Sequence, residues 1–130
     1  MKIAIVILNW NGRDMLKRFL PILQSNLIAD SVVFVADNAS SDDSLQLLKS
    51  DFPDVRVIEL DKNYGFADGY NKALQQIDAE YYLLLNSDVE VTSDWIEPML
   101  WFMEANHDVA ACQPKILSIS DRHSFEYAGA

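Results

Sequence analysis

The chain has 130 residues, 50% of them apolar and 23% charged, with 10 Lys plus Arg against 20 Asp plus Glu and a net charge of −10. Such a chain is long enough for one domain with a buried core, and too apolar for a disordered tail. Its acidity excludes non-specific binding to a nucleic-acid backbone, so no nucleic-acid partner is expected, and a phosphate-bearing ligand would need backbone donors or a bridging cation.

The N-terminus, MKIAIVILNWNG, has one Lys and then the apolar run Ile3–Leu8. This is short for a signal peptide, and no small-residue cleavage site follows. It reads as a strand covered on both faces. From Asp14 to about Asn26 the apolar spacing is helical, with Leu16, Phe19, Leu20 and Leu23 on one side. Pro21 falls inside that pattern and is expected to kink the helix or start a new segment. Ser31–Ala36 is a second strand. A helix follows from Ser41 to about Ser50, capped by Ser40 or Ser41 before Asp42 and Asp43. Val55–Leu60 is a third strand, Phe66–Ile77 a helix and Tyr81–Leu85 a fourth strand. Ser93 or Asp94 caps a last helix to about Asn106, with Trp95, Met99, Phe102 and Met103 as its apolar stripe. Val109–Gln113 is a fifth short strand.

The order β-α-β-α-β-α-β-α-β predicts an α/β domain, an open and mostly parallel sheet with helices on both faces. No repeat or linker divides residues 1–130. After Lys115 the chain reads ILSISDRHSFEYAGA, as expected of a domain cut part-way. No apolar run approaches the ~20 residues that span a bilayer. The single cysteine, Cys112, permits no disulfide framework and points to a reducing compartment.

In such sheets ligands bind at the carboxyl ends of the strands, near the point where strand order reverses. The residues there are Asn9-Trp10-Asn11-Gly12, Asp37-Asn38-Ala39-Ser40, Asn63-Tyr64-Gly65-Phe66 and Asn86-Ser87-Asp88. Each set alone is ordinary turn chemistry. Four in one layer point to a site. A dinucleotide fingerprint is absent, since Gly12 is the single glycine after the first strand. A P-loop is absent too. A phosphate-receiver site would want acids where Asn9 and Asn11 stand. One Cys with His107 and His123 cannot build a zinc site. What remains is a pair of carboxylates at different strand ends. Asp88 suits a hard cation such as Mg²⁺ or Mn²⁺, which takes one or two carboxylates plus substrate phosphates. Asp37 can accept hydrogen bonds from a base or a ribose.

VILNWNG, ADNASSDDS, NYGFADGYNKAL and LLLNSDV, in this order and spacing, resemble the family 2 glycosyltransferases of the GT-A fold, and most of all the bacterial rhamnosyltransferase-type branch. QPKIL and FEYAGA are similar to the segment that follows the metal motif there. The resemblance covers essentially all of the chain. It implies a nucleotide-diphosphate-sugar binding domain, the N-terminal part of a longer enzyme. Asn9, Trp10 and Asn11 would line the nucleoside pocket. Asp37 would contact the base, with Asn38 and Ser40 shaping its loop. Asn63, Gly65 and Phe66 would lie beside the nucleotide, and Asn71 would support them from the next helix. Asn86-Ser87-Asp88 would stand in for a D-x-D motif. With Asn first, binding of Mn²⁺ or Mg²⁺ would rest mainly on Asp88.

The resemblance also implies inverting transfer of a sugar from a UDP- or dTDP-sugar to a hydroxyl of a cell-surface glycan or lipid-linked acceptor, as in polysaccharide biosynthesis. The parent enzyme is expected in the cytoplasm, at the inner face of the membrane. The base that activates the acceptor is expected beyond Ala130, and Glu126, the last carboxylate, reads as a surface acid. The chain by itself is therefore expected to be catalytically silent and to self-associate. Two other readings compete. A nucleotidyltransferase would want a Gly-rich, basic loop after the first strand, where NWNGRD offers only Arg13. A non-catalytic sugar-nucleotide-binding module would need no base at all.

Overall fold

The structure, a computed structural model, describes residues 1–120 and the backbone of Phe125–Tyr127. Four strands form one parallel sheet: β1 (Ile3–Asn9), β2 (Ser31–Asp37), β3 (Arg56–Glu59) and β4 (Tyr81–Leu84), in the order β3-β2-β1-β4. Four helices connect or follow them: α1 (Arg13–Gln24), α2 (Ser44–Asp51), α3 (Phe66–Leu74) and α4 (Glu97–Ala105). The α/β expectation holds, with helices on both faces.

The two faces are readable from the alternation along the central strands. Ile3, Ile5, Ile7, Val33 and Val35 point to one side, where they pack with Leu16, Leu20 and Leu23 of α1 and Leu47 and Leu48 of α2. Ala4, Val6, Phe34 and Ala36 point to the other and meet Tyr70 and Ala73 of α3 and Ile77 beyond it. Small side chains at Ala4, Ala36 and Ala73 let α3 lie close to the sheet. Burying a residue such as Ile5 or Leu20 fully is worth about 1.5–3 kcal/mol. The register aligns Asn9 with Asp37, so both strands end at the same level. The chain adds β2 and β3 on one side of β1, then crosses over to place β4 on the other. That reversal opens the crevice at the carboxyl ends of β1 and β4.

Several expected boundaries are corrected. α1 runs unbroken through Pro21, which lies on its exposed side. α2 begins at Ser44, not Ser41. The amides of Ser40, Ser41 and Asp42 are instead drawn to the side chains of Asp37 and Asn11. α4 begins at Glu97 and neither Ser93 nor Asp94 caps it. Asp94 has a left-handed φ of 55°, which interrupts any helix, and Pro98 is tolerated only within a first turn. The expected α4 stripe is displaced as well. Trp95, Ile96 and Leu100 reach the core, while Phe102 is exposed beside Trp101. Trp95 is anchored through its indole N–H to the Asn26 carbonyl at 2.9 Å.

No strand forms at Val109–Gln113. Ala110 and Ala111 have little β-propensity, and Pro114 cannot donate to a ladder. The fifth strand is Ile116–Leu117 (β5), paired antiparallel with Phe125–Tyr127 (β6) in a separate two-stranded sheet. His123, the Glu126 side chain and the last three residues lie outside the described residues. Among the described residues no helix is long and apolar enough to cross a membrane.

Candidate active site

The end of β1 and the end of β2 are welded by side chains. Asn9 and Asp37 are each 1% exposed. Asn9 Nδ2 donates to Asp37 Oδ1 at 3.0 Å and also faces Ser40 Oγ at 3.3 Å. Ser40 donates twice to Asp37, from its hydroxyl to Oδ1 at 2.7 Å and from its N–H to Oδ2 at 3.0 Å. The Asn11 N–H then donates to Ser40 Oγ at 2.9 Å. This is how a carboxylate can be buried beside apolar strands: its oxygens are met by donors on nearly every side.

The loops around this cluster hold left-handed residues. Asn11 has φ 52° and Ala39 φ 60°. Such backbone persists only where surrounding bonds determine it. Here the Asn11 carboxamide oxygen accepts from the Ser41 N–H at 2.7 Å and the Asp42 N–H at 3.2 Å. Asp42 in turn accepts from the Arg13 N–H at the start of α1 and from Ser44 at the start of α2. Partial burial works against its charge, but the Ser44 and Arg13 hydrogen bonds and the Arg13 guanidinium outweigh it and hold its carboxyl below the usual range. Arg13 itself is engaged, Nε with Asp43 at 2.9 Å and Nη1 with Asp14 at 3.1 Å.

A second bridge joins this cluster to the loop before α3. Asn38, 3% exposed, donates through Nδ2 to the Gly65 carbonyl at 3.0 Å and accepts at Oδ1 from the Tyr64 N–H at 2.9 Å. Asn63 Oδ1 accepts from the Gly65 N–H at 2.8 Å. Gly65 has φ 79°, a conformation that favours glycine. Phe66 opens α3; the residue is 68% exposed and its ring is edge-on to Tyr70. Tyr70 is buried, which pushes its hydroxyl pKa up, and it donates to the Leu85 carbonyl at 3.2 Å. Beside the loop, the Tyr64 hydroxyl donates to Asp61, with the Lys62 and Lys72 ammoniums 5.1 and 5.2 Å from the Tyr64 ring centre.

Asn86, Ser87 and Asp88 form the turn after β4, with Asn86 and Asp88 exposed and Ser87 half-buried. Among the described residues no group of three or more His, Cys, Asp or Glu gathers there or elsewhere. An exposed lone carboxylate fits a cation that draws its other ligands from a diphosphate and water.

The residues singled out from sequence thus fall into one layer, with two distinctions. Trp10 is 57% exposed and makes none of the hydrogen bonds of the cluster. Asn71 lies on the exposed side of α3, and the support expected from it is provided by Asn38. Sequence reading named two further residues without seeing their roles. One is Asn38 as a bridge between loops, which no local pattern announces because its partners are 26 and 27 residues away. The other is Gly12. A Cβ there would lie 2.5 Å from Asn9 Oδ1. The Asn9 amide is held by Asp37 and cannot swing aside. Gly12→Ala is accordingly expected to destabilise the fold by about 1–3 kcal/mol, read from the urea midpoint. An unchanged midpoint would mean that the Asn9 amide is free to move.

The family model for glycosyl transferase family 2 matches residues 4–127. The chain is 26% identical over 96 residues to the teichoic acid poly(glycerol phosphate) polymerase of Staphylococcus epidermidis, covering 71% of this chain and 13% of that one. It is 28% identical over 116 residues to the uncharacterized glycosyltransferase YfnE of Bacillus subtilis, covering 86% and 29%. It therefore spans less than a third of either curated relative. In fold it is similar to S. aureus TarS 1–349 in complex with UDP-GlcNAc, with a TM-score of 0.72 at 23% identity over 82% of this chain and 32% of that one. A mannosyltransferase from Pyrobaculum calidifontis, in complex with GDP-Man and Mn²⁺, gives 0.71 at 16% identity over 88% and 33%. With a GT-A-like sheet, a welded polar cluster at its carboxyl edge and a family match along nearly its whole length, the chain belongs to glycosyl transferase family 2.

Proposed function

We propose that this chain is the donor-binding part of an inverting glycosyltransferase that moves a sugar from a UDP- or dTDP-sugar to a hydroxyl of a glycan or lipid-linked acceptor. The observation that carries the reading is the buried Asn9–Asp37–Ser40 cluster, set one strand away from the Asn86-Ser87-Asp88 turn. A carboxylate offers about four acceptor positions. Asp37 receives one N–H from Asn9 and a hydroxyl and an N–H from Ser40. One position on Oδ2 is left, which suits a base with a single N–H between two carbonyls, as uracil and thymine have. The donors bound by TarS and the mannosyltransferase support the broader reading of a nucleotide-diphosphate sugar.

The remaining roles follow from position. Trp10 in the loop after β1 and Phe66 at the start of α3 are both exposed aromatics that could stack on a base or sugar. Asn63 and Asn38 hold the loop that would lie along the nucleotide. Asp88, with Asn86 beside it, would hold Mn²⁺ or Mg²⁺. Such a cation neutralises charge on a departing diphosphate. The acceptor's base belongs, in this reading, to a segment beyond Ala130. The nucleotidyltransferase alternative loses support, because the Arg13 guanidinium is committed to Asp43 and Asp14.

The test is a thermal-shift series with UDP, dTDP, GDP and ADP, each with and without Mn²⁺. A ligand that binds only the folded chain at 100 times its Kd stabilises it by about 2.7 kcal/mol, a shift of several degrees. UDP or dTDP with Mn²⁺ should give the largest shift. Equal shifts for all four, or a shift from Mn²⁺ alone, would refute the reading.

A further inference from the structure

Tyr70 is 4% exposed and packs in an apolar cluster with Ala4, Val6, Phe34 and Ala36 on one face of the sheet. A phenylalanine would suit that cluster as well, so the hydroxyl at its tip calls for a reason. The sheet supplies one. β4 pairs with β1 from Ile3 opposite Tyr81 to Val6 opposite Leu84, and the last bond of that ladder runs from the Leu85 N–H to the Val6 carbonyl at 3.0 Å. In a parallel ladder the next bond would run from the Leu8 N–H to the Leu85 carbonyl. Among the described residues that bond is not made. The Leu85 carbonyl accepts instead from the Tyr70 hydroxyl at 3.2 Å. The Leu8 N–H faces the same phenol oxygen, where it favours the charged form against the effect of burial.

The helix is shaped for this reach. Gly69, just before Tyr70, is buried on the sheet side of α3. A Cβ there would lie 3.0 Å from Leu8 Cδ1 and Cδ2 and 3.1 Å from Asn38 Nδ2. Without one, α3 comes down on the end of β1, and the phenol extends from the helix to the gap between β1 and β4.

We propose that the Tyr70 hydroxyl is a spacer set into the β1–β4 ladder, which ends the pairing of the two strands and fixes where the Asn86-Ser87-Asp88 turn leaves β4. An N–H···O–H···O=C chain is longer than one direct bond, so the strands part at this level, where strand order reverses. The carbonyl it holds belongs to Leu85, the residue immediately before Asn86. Tyr70 is then a positioning residue that acts through the turn carrying Asp88. Its effect on a bound cation rests on the function proposed above.

Tyr70→Phe keeps the ring and removes the hydroxyl. UDP affinity is measured by calorimetry with Mn²⁺ and in excess chelator. The gain that Mn²⁺ brings should fall about tenfold, as when an outer partner of a metal ligand is lost, while affinity in chelator stays within about twofold. The folded-to-unfolded ratio should fall about fivefold. A loss of stability with the full Mn²⁺ gain retained would mean that the hydroxyl only satisfies a buried carbonyl, and would overturn the proposal. Equal losses with Mn²⁺ and in chelator would overturn it too. If the unaltered chain binds no UDP, or gains nothing from Mn²⁺, the proposed function fails, and a ligand-free reading decides the role of Tyr70. The amide resonances of Asn86, Ser87 and Asp88 should move in Tyr70→Phe more than those of Ser40 and Ser41, and a turn left unmoved refutes the placement. Should Tyr70→Phe not fold, the unaltered chain serves. Its Leu8 amide proton should show a nuclear Overhauser contact to the ring protons beside the Tyr70 hydroxyl, and absence of that contact refutes the spacer.

Discussion

Asp37→Asn is expected to lower the stability of the fold by about 2–4 kcal/mol and to weaken UDP or dTDP at least about tenfold. The carboxylate accepts from Asn9 Nδ2, the Ser40 hydroxyl and the Ser40 N–H inside a site that is 1% exposed. An amide at this position has one oxygen and must aim an NH₂ at one of these donors. Whichever way it turns, a buried donor loses its acceptor and the loop from Asn38 to Ser40 loses its anchor. The loss should differ by ligand. Free pyrophosphate makes no use of the nucleoside pocket, and its affinity should stay within about twofold. Urea unfolding gives the stability and calorimetry gives the two affinities. If both ligands lose affinity equally, Asp37 has no special role toward the nucleoside.

Asp88→Ala should behave in the opposite way. Asp88 is exposed on the turn after β4, so the fold should stay within about 0.5 kcal/mol of its original stability. The Mn²⁺-dependent part of UDP affinity should fall about 10–100-fold or more, since even the outer partners of metal ligands commonly cost that much. Binding measured in excess chelator should be unchanged. Calorimetry of UDP with Mn²⁺ and with chelator separates the two components. The same metal-dependent affinity in the variant would move the cation away from this turn. Together the two substitutions split the proposed site into an end that supports the fold and an end that does not.

Much of this was legible in the residues themselves. The run Ile3–Leu8 reads as a strand covered on both faces, and its alternation already separates the face of Ile5 from the face of Val6. The helical spacing of Leu16, Leu20 and Leu23 named the side of α1 that is buried. Placing Asn, Asp and Gly after successive strands was enough to locate the crevice, because a parallel sheet brings its carboxyl ends to one edge. Those are consequences of short periods along the chain, and a short period survives in any tertiary context.

Tertiary structure decided what those polar residues do. Asp37 read as an open acceptor, yet most of its hydrogen-bonding capacity holds the loop, because Ser40 folds back on it. Asn38 read as part of its own loop, yet it secures Tyr64 and Gly65 across the sheet. Val109–Gln113 resembled a strand, but a strand needs a partner, and these residues pair with none. α4 had an apolar stripe by spacing, and the covered side turned out to be the one that Trp95 and Ile96 pin to the core. Gly12 looked like ordinary turn punctuation until Asn9 was seen filling the space where its side chain would be. Local periodicity determined most of the elements and which edge of the sheet carries the candidate site. Partners 26 to 30 residues apart, brought together only by the register of β1 against β2 and the crossover to α3, determined how that edge is held.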